Sequence, residues 1–481
     1  MSEEATFFLP VKDSCHRGLI TCSIEDKIID ATIIMRDKSI SSIVACDDKG
    51  TPVGIMTDRD LRNKVVAAGI DPVKSVVREV MTAPVIAVKE EETLFEVLYQ
   101  MSRHRIHRVG VVDKQNRLVG IINESDIIRL QNRSPQKLLR SIDEAGSIDD
   151  LKIIHNNMEE LIIFLSGNDI RTRDLVRLIS LLNDQIALCL IRILQRDHFP
   201  DLPQGCAYLV LGSEGRREQT LKTDQDNAII YADDLTEPEI AKIVDFSQAL
   251  IDALIEIGVP ECPGGIMAKN EFWRRNLSDW KQAIDDWISI PSGENILNFS
   301  MFSDMRTLWG DPSLEKDLQA HVVQRARESG LFLAHMAANV CRFPPPLGFF
   351  GRIKTEKRGD HVGQLDLKKS GIFAITEGIK TLALEIGVLD GSSYDKLQVL
   401  REREVLDRQQ VEDLDAAFNL LTFFRLRGQI SSTVAGRDPD NYISPASLNR
   451  VERGRLKVSL EVVQSFQSTL GSHFQLSMLR S

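Results

Sequence analysis

No stretch of this chain approaches the ~20 consecutive apolar residues that a bilayer-spanning helix needs. Its start, MSEEATFFLP, is acidic where a secretory leader is basic and then apolar. Together these absences set the expectation of a cytoplasmic protein with no membrane partner. A basic surplus is missing too. Against 59 Lys and Arg stand 70 Asp and Glu, a net charge of −11, so nothing general is available to displace counterions from nucleic acid. No nucleic-acid partner is expected. The seven cysteines (Cys15, Cys22, Cys46, Cys189, Cys206, Cys262, Cys341) are scattered and lack metal-ligand spacing, which argues against a disulfide framework or a zinc module. No low-complexity tract interrupts the 481 residues. What remains is ordinary globular material, 43% hydrophobic and 27% charged, of a length that suggests about three domains.

The first positive signal is an internal repeat. ISSIVACDDKGTPVGIMTDRDLR from Ile40 aligns with IHRVGVVDKQNRLVGIINESDIIR from Ile106, an offset of 66 residues that places Gly54 on Gly120, Ile55 on Ile121, Asp60 on Asp126 and Met35 on Met101. Repetition on this scale marks a supersecondary unit that cannot bury its apolar face alone. Each unit reads helix, strand, turn, strand, helix. Ile28, Ala31, Ile34 and Met35 fall at helical spacing, Ser42–Cys46 and Val53–Met56 read as strands, and Asp47-Asp48-Lys49-Gly50 turns between them. A helix then opens at Thr57, whose position suits an N-cap, with Asp60 one turn in. Free amides at such a mouth suit a phosphate and a carboxylate suits a ribose diol, although the same two residues also make an ordinary cap.

This repeat resembles the CBS family, whose paired units commonly bind adenine nucleotides (AMP, ADP or ATP) and often dimerise. The resemblance implies a CBS pair over 11–132, as units of about 11–70 and 76–132, and a homodimer formed through it. The family's ribose-contacting motif maps onto Gly54, Thr57 and Asp60, and in the second unit onto Gly120 and Asp126, with Asn123 replacing the hydroxyl residue. The cluster Arg103, His104, Arg105, His107 and Arg108 either meets phosphates or is a solvated turn.

From 134 to 200 the pattern becomes helical. Leu151, Ile154, Met158, Leu161 and Leu165 make one stripe behind a Ser147/Asp150 cap, and Leu175 to Ile193 another, so the segment reads as a connector. Then comes AYLVLGSEGRREQTLKTDQDNAIIYAD, residues 207–233. A strand, Ala207–Leu211, ends in Gly212-Ser213; a short helix is expected over Glu214–Leu221; Asp224 and Asp226 lead into a second strand, Ala228–Tyr231. Gly at a strand end lets backbone approach a phosphate, and Ser213 adds a hydroxyl. Carboxylates two apart on extended chain share a face. Like charges so close call for a cation, and a hard one such as Mg2+ also binds triphosphate oxygens.

This constellation resembles the DNA polymerase beta-like nucleotidyltransferases, whose hallmark is a strand-end Gly-Ser, about ten residues, and Asp-x-Asp. It is most similar to the branch containing the PII-protein uridylyltransferase, and to the nucleotidyltransferases fused to CBS pairs. Beyond Gly215, Arg216, Glu218, Thr223 and Asn227, the likeness extends to CPGGIMAKNEFW (262–273), LDLKKSGI (365–372) and DNYISP (440–445). It implies Asp224 and Asp226 as catalytic metal ligands, with Gly212, Ser213 and Arg216 on the nucleoside triphosphate. The superfamily's third carboxylate is missing from the strand expected near Gly264–Met267; Glu261 and Asp304 are the candidates to replace it.

Trp273, Trp280 and Trp287 recur every seven residues, as one helical face would, and read as a packing seam. Helical patterns fill the remainder, with Lys354, Lys357, Lys368 and Lys369 as candidate substrate contacts. No paired His-Asp phosphohydrolase motif appears. The expected protein is α+β and multidomain: tandem CBS repeats (11–132), helical connector (134–200), polymerase-beta-like nucleotidyltransferase fold (201–312) and C-terminal helical bundle (313–481). The expected function is Mg2+-dependent transfer of AMP or UMP to a protein or small-molecule hydroxyl, under adenine-nucleotide control. The alternative is a non-catalytic nucleotide sensor acting through partner contacts.

Overall fold

The computed structural model describes residue 11 and residues 19–47, 49–104, 106–123, 126, 134–166, 170–222, 224–348 and 352–480. The chain divides into two compact units, residues 1–138 and 139–481.

In the first unit the repeat is visible as geometry. Thr21–Ser23 (β1), Ile28–Asp37 (α1), Ser42–Cys46 (β2) and Pro52–Thr57 (β3) return, 66 residues on, as Ala87–Lys89 (β4), Leu94–His104 (α2), Arg108–Val112 (β5) and Leu118–Asn123 (β6). Each trio of strands pairs the same way, parallel between the first two and antiparallel between the last two. Even the register shift recurs, between Ala45 and Cys46 and again between Val111 and Val112. The helices bury matching faces, Ile28, Ala31 and Met35 in one and Leu94, Val97 and Met101 in the other.

The second unit opens with Pro135–Glu144 (α3), Ile148–Ser166 (α4) and Thr172–Asp197 (α5). Helix α5 is, by length and composition, apolar enough to cross a membrane, although charged and polar residues interrupt its apolar run. Its apolar residues are core: Leu175, Ile179, Leu182, Ile186, Leu190 and Ile193 are all buried within the fold. A four-stranded sheet follows, in the order β10-β7-β8-β9, built from Cys206–Val210 (β7), Asn227–Tyr231 (β8), Arg274–Asn276 (β9) and Arg306–Gly310 (β10). Its central strands read CAYLV and NAIIY and are buried almost throughout. Between β8 and β9 runs Glu237–Ile257 (α6). Its ends are written in the sequence: Thr236 and Glu239 close a capping box, and Gly258 at φ +118° terminates it in the left-handed region. Leu277–Ser289 (α7), Gly293–Phe302 (α8) and Pro312–Glu328 (α9) complete this layer, α7 and α9 packing on the sheet.

The C-terminal helices are Gly330–Val340 (α10), Phe373–Glu385 (α11), Ser393–Glu402 (α12), Arg408–Val434 (α13) and Arg450–His473 (α14). They share one apolar core around Ile375, Ile379, Leu397, Leu421 and Leu460.

Three local expectations change. The helix after Gly212-Ser213 spans only Gly212–Gly215, because Arg217 turns into the left-handed region at φ +56°. Gly264–Met267 is not a strand; its Gly265 is itself left-handed, and the sheet edge is β9 instead. The three tryptophans do not lie on one helix, since Trp273 precedes β9 while Trp280 and Trp287 ride on α7. They do meet in a buried seam, with ring centroids 6.1–6.4 Å apart and Trp280 stacked on Phe302 at 4.1 Å.

Candidate active site

Strand β7 delivers Leu211 in extended conformation, and Gly212 then turns at φ +52°. A Cβ at Gly212 would stand 2.9 Å from Met301 Cε and 3.1 Å from Asp226 Oδ2, so only glycine both accepts this dihedral and lets the carboxylate come so near. Asp226 precedes β8 rather than lying within it, yet its carbonyl accepts the Leu211 N–H at 2.8 Å, so the ladder runs one pair beyond the strand. That bond puts Gly212-Ser213 and the Asp pair side by side.

Gly212, Ser213, Arg216 and Asp226 line one cleft of about 800 Å3, open mouth included, whose far wall comes from the C-terminal helices. Asp224 is exposed beside it. Burial pushes Asp226 up to about 6, and the charge of Asp224 adds to this against the Cys262 thiol, Lys368 and Arg216. Lys368 and Arg425 both feel Asp224, and Lys368 and Arg216 both feel Asp226, so three cations offset the two carboxylates. Arg425 is buried, its Nε donating to Asn441 Oδ1 at 2.6 Å.

Arg216 is held rather than free. Its Nε donates to Glu218 Oε2 at 2.8 Å and its Nη1 to Asp304. Asp304 in turn takes Lys380 Nζ at 2.7 Å and faces Lys396 at 3.8 Å, and Lys380 also grips Glu377 at 2.8 Å. Three cations and three carboxylates therefore form one buried cluster under the cleft, and Glu218 extends it to α12 by accepting the Ser393 N–H at 2.6 Å. On the opposite side Arg306 pins the Gly212–Gly215 turn through the carbonyls of Glu214 and Gly215, while pairing with Asp184 of α5 at 2.8 Å.

The third carboxylate is not supplied by either candidate. Asp304 is fully buried and committed to Arg216 and Lys380. Glu261 is half-exposed and paired with Lys269 at 2.5 Å. The place beside Asp226 belongs to the Cys262 thiol, which donates to that carboxylate. Among the described residues no three His, Cys, Asp or Glu side chains gather as a metal cage. Asp224 and Asp226 nonetheless fit a hard divalent ion: one is desolvated and strained upward by the other, the setting that a shared cation relieves. Magnesium needs few protein ligands when triphosphate oxygens and water supply the others.

Of the lysines expected at the substrate, Lys368 reaches the cleft. Lys369 lies over the Phe343 ring at 5.0 Å, and Lys354 and Lys357 are exposed elsewhere. Thr223 lies outside the described residues. Sequence reasoning named Glu218 only as part of the motif and missed Arg425, Lys380 and Lys396. A signal existed in FAITEGIKTLALE, an otherwise apolar helix with a carboxylate and an ammonium three residues apart.

In the first unit a second cleft, about 960 Å3 with its mouth, is lined by Ser39–Ser42 of one repeat and by Arg108, Ile121 and Asn123 of the other. Arg108 donates to Ser41 Oγ at 2.6 Å across it. Thr57 and Asp60 close a capping box beyond this lining. Although buried, Asp60 is held below the usual carboxylate range by Lys64 at 2.8 Å and by the Thr57 hydroxyl and amide. Asn123 performs the same cap in the second repeat: its Oδ1 takes the Asp126 N–H at 2.9 Å and Asp126 returns a bond to the Asn123 N–H at 2.9 Å. An amide oxygen thus replaces the hydroxyl without loss of the turn. Arg105 lies outside the described residues.

A glycine-turned Asp pair facing a cationic helical wall, in a chain that also carries a duplicated α/β unit, is the arrangement of a nucleotidyltransferase-type domain joined to a CBS-type pair. Comparison with known families agrees. Residues 11–67 and 77–133 match the CBS domain, 156–294 match "Putative nucleotidyltransferase DUF294", and 330–474 match "Putative nucleotidyltransferase substrate binding domain". The chain belongs to the CBS-domain-containing DUF294 nucleotidyltransferase family. Individual relatives match over a quarter of the chain. An uncharacterized protein of Methanopyrus kandleri, MK0525, is 34% identical over 25% of this chain and 62% of its own length. Hypoxic response protein 1 of Mycobacterium tuberculosis is 34% identical over 24% of this chain and 82% of its own. Among solved structures, the CBS domain pair of MJ0100, in complex with 5′-methylthioadenosine and S-adenosyl-L-methionine, is 33% identical over 26% of this chain and 95% of that one, with a TM-score of 0.24.

Proposed function

We propose that this protein is a Mg2+-dependent nucleotidyltransferase that moves a nucleoside monophosphate, AMP or UMP, from its triphosphate to a hydroxyl of a protein or small acceptor. The observation that carries this reading is the gathering, in one cleft, of Asp226 with Arg216, Lys368 and Arg425, with Asp224 exposed beside it and its charge felt by Lys368 and Arg425. Such a site is acidic where a metal would sit and basic where phosphates would lie. When bound, magnesium neutralises the phosphates and steadies the leaving pyrophosphate. The chain's own work is orientation. Gly212 admits a phosphate close to backbone, Ser213 offers its hydroxyl, and Arg216, locked by Glu218 and Asp304, presents a fixed positive charge.

Regulation belongs to the CBS pair, with AMP, ADP or ATP as its ligand, in a cytoplasmic homodimer formed through that pair. Helix α3 spans the boundary between the two units, and its last turn and the chain just after it are fastened to α5: Arg192 donates to Asp143 O at 2.9 Å and Arg196 to Gly146 O at 2.9 Å. Ligand binding that biased α3 would therefore act on α5, whose Asp184 holds Arg306 and through it the Gly212 turn.

One observation favours a second reading, a nucleotide sensor without turnover: the side chain hydrogen-bonded to Asp226 is the Cys262 thiol, and among the described residues no third carboxylate gathers with the pair. Both readings are separated by incubating the protein with Mg2+ and each α-labelled nucleoside triphosphate, with and without cell extract, beside an Asp224→Asn, Asp226→Asn double variant. Label transferred by the wild type alone supports the enzyme. Binding without transfer or pyrophosphate release, with AMP or ATP also supplied, supports the sensor.

A further inference from the structure

Two residues that line the active-site cleft each carry a buried polar atom with no hydrogen-bond partner, Glu377 Oε2 and Thr422 Oγ1. Both side chains belong to residues more than nine-tenths buried, at 7% and 6% exposure. The other Glu377 oxygen is occupied by Lys380 Nζ at 2.8 Å, so the carboxylate is fixed in place with one oxygen left to use. Native interiors rarely leave such groups alone unless a ligand completes them.

Helical geometry places them away from the phosphate end. From Lys368, which faces the Asp pair, the chain runs helically through Ile372 to Glu377, nine residues or roughly 13 Å of rise. On the facing wall Arg425, Thr422 and Phe418 succeed one another at i, i−3 and i−7 along one side of α13, so Thr422 lies between the cation and an aromatic ring. Phe373, Tyr394 and Leu297 complete an apolar surround. Charge at one end and rings with two polar atoms at the other match the layout of a nucleotide.

The geometry points to Glu377 and Thr422 as the residues that read the base of the triphosphate, selecting an exocyclic amino group beside an unprotonated ring nitrogen. This deepens the nucleotidyltransferase reading and rests on it. Glu377 Oε2 accepts from the amino group and the Thr422 hydroxyl donates to the ring nitrogen, an edge that adenine and cytosine share. Uracil and guanine present a carbonyl oxygen where the amino group should be, which would set two acceptors against each other. Of the two donors proposed above, AMP is thereby favoured over UMP.

Calorimetric titration of the full chain, its CBS pair first saturated with AMP, with Mg2+ and the α,β-methylene analogues of ATP, CTP, GTP and UTP tests this. The ATP and CTP analogues should bind at least about ten-fold more tightly than the other two, and the ratio between them tells purine from pyrimidine. Glu377→Gln keeps an oxygen for Lys380 but turns the free position into a donor, so the preference should reverse toward UTP and GTP. Thr422→Val leaves the Lys380 pair untouched and should weaken ATP several-fold with UTP little changed, which keeps the test open if the first variant does not fold. Equal binding of all four, or preference for UTP in the wild type, overturns the base reading while leaving the nucleotide site standing. Binding of none overturns both.

Discussion

Asp226 is destabilising in the folded protein and indispensable to the proposed chemistry. Burial lifts it to about 6, above the ordinary ~3.9 of an unfolded aspartate, so between those values the native state holds a proton that the unfolded chain has lost. Stability from this group is therefore present at low pH and lost as pH rises through 6. Asp226→Asn should remove the slope and stabilise the apo protein at pH 7 by about 1–2 kcal/mol after screening, measured as urea midpoints from pH 4 to 8. Adding Mg2+ should raise the wild-type midpoint and not that of the variant, by linkage. Transfer of label should fall by about 10²-fold or more in the same variant, the size usual for removing one electrostatic element of an active site. Gly212 belongs to the same scale. Gly212→Ala meets Met301 and Asp226 and adopts a left-handed backbone, costing about 1–2 kcal/mol.

Among the elements, α8, α11 and α12 depend on one buried charge cluster for their registry with the Gly212 turn. Lys380 on α11 binds Ser300 O of α8 at 2.6 Å, Asp304 and Glu377, while Glu218 reaches the first residue of α12. Removing one member leaves the others charged and unpaired, so Lys380→Met should destabilise the second unit by about 3–5 kcal/mol in equilibrium unfolding. Gly215 shows how tightly the turn is set: a Cβ there would come within 1.8 Å of the Asp304 carbonyl oxygen. Gly215→Ala should therefore destabilise by at least the ~1–3 kcal/mol of ordinary overpacking, read from the same unfolding curves.

At the scale of the molecule, the connector, transferase and helical segments are distinct along the sequence yet pack as one unit, with the CBS pair separate. Calorimetry should resolve two transitions, and AMP should raise the one assigned to residues 1–138. A chain cut to 139–481 should unfold in a single step, keep label transfer, and lose any response to AMP. A single transition for the full chain would contradict this division.

Periodicity and repetition are local properties, and the sequence alone carried them: the 66-residue duplication, the helix stripes, the caps of α4 and α6, and the Gly-Ser and Asp-x-Asp spacing that brings Gly212 to Asp226 across two paired strands. Apart from the duplication, which is legible as self-similarity, each depends on residues within a few turns or one hairpin of each other. Where a side chain's partner lies far along the chain, only the tertiary structure decided. Asp304 reads as a free carboxylate until Arg216 and Lys380 enclose it, 88 residues before and 76 after. Arg425 reads as helix surface until packing buries it within the field of Asp366 and of Asp224, the latter 201 residues away. Desolvation and charge pairing are set by whatever packing delivers, and no pattern along a single stretch of chain encodes them.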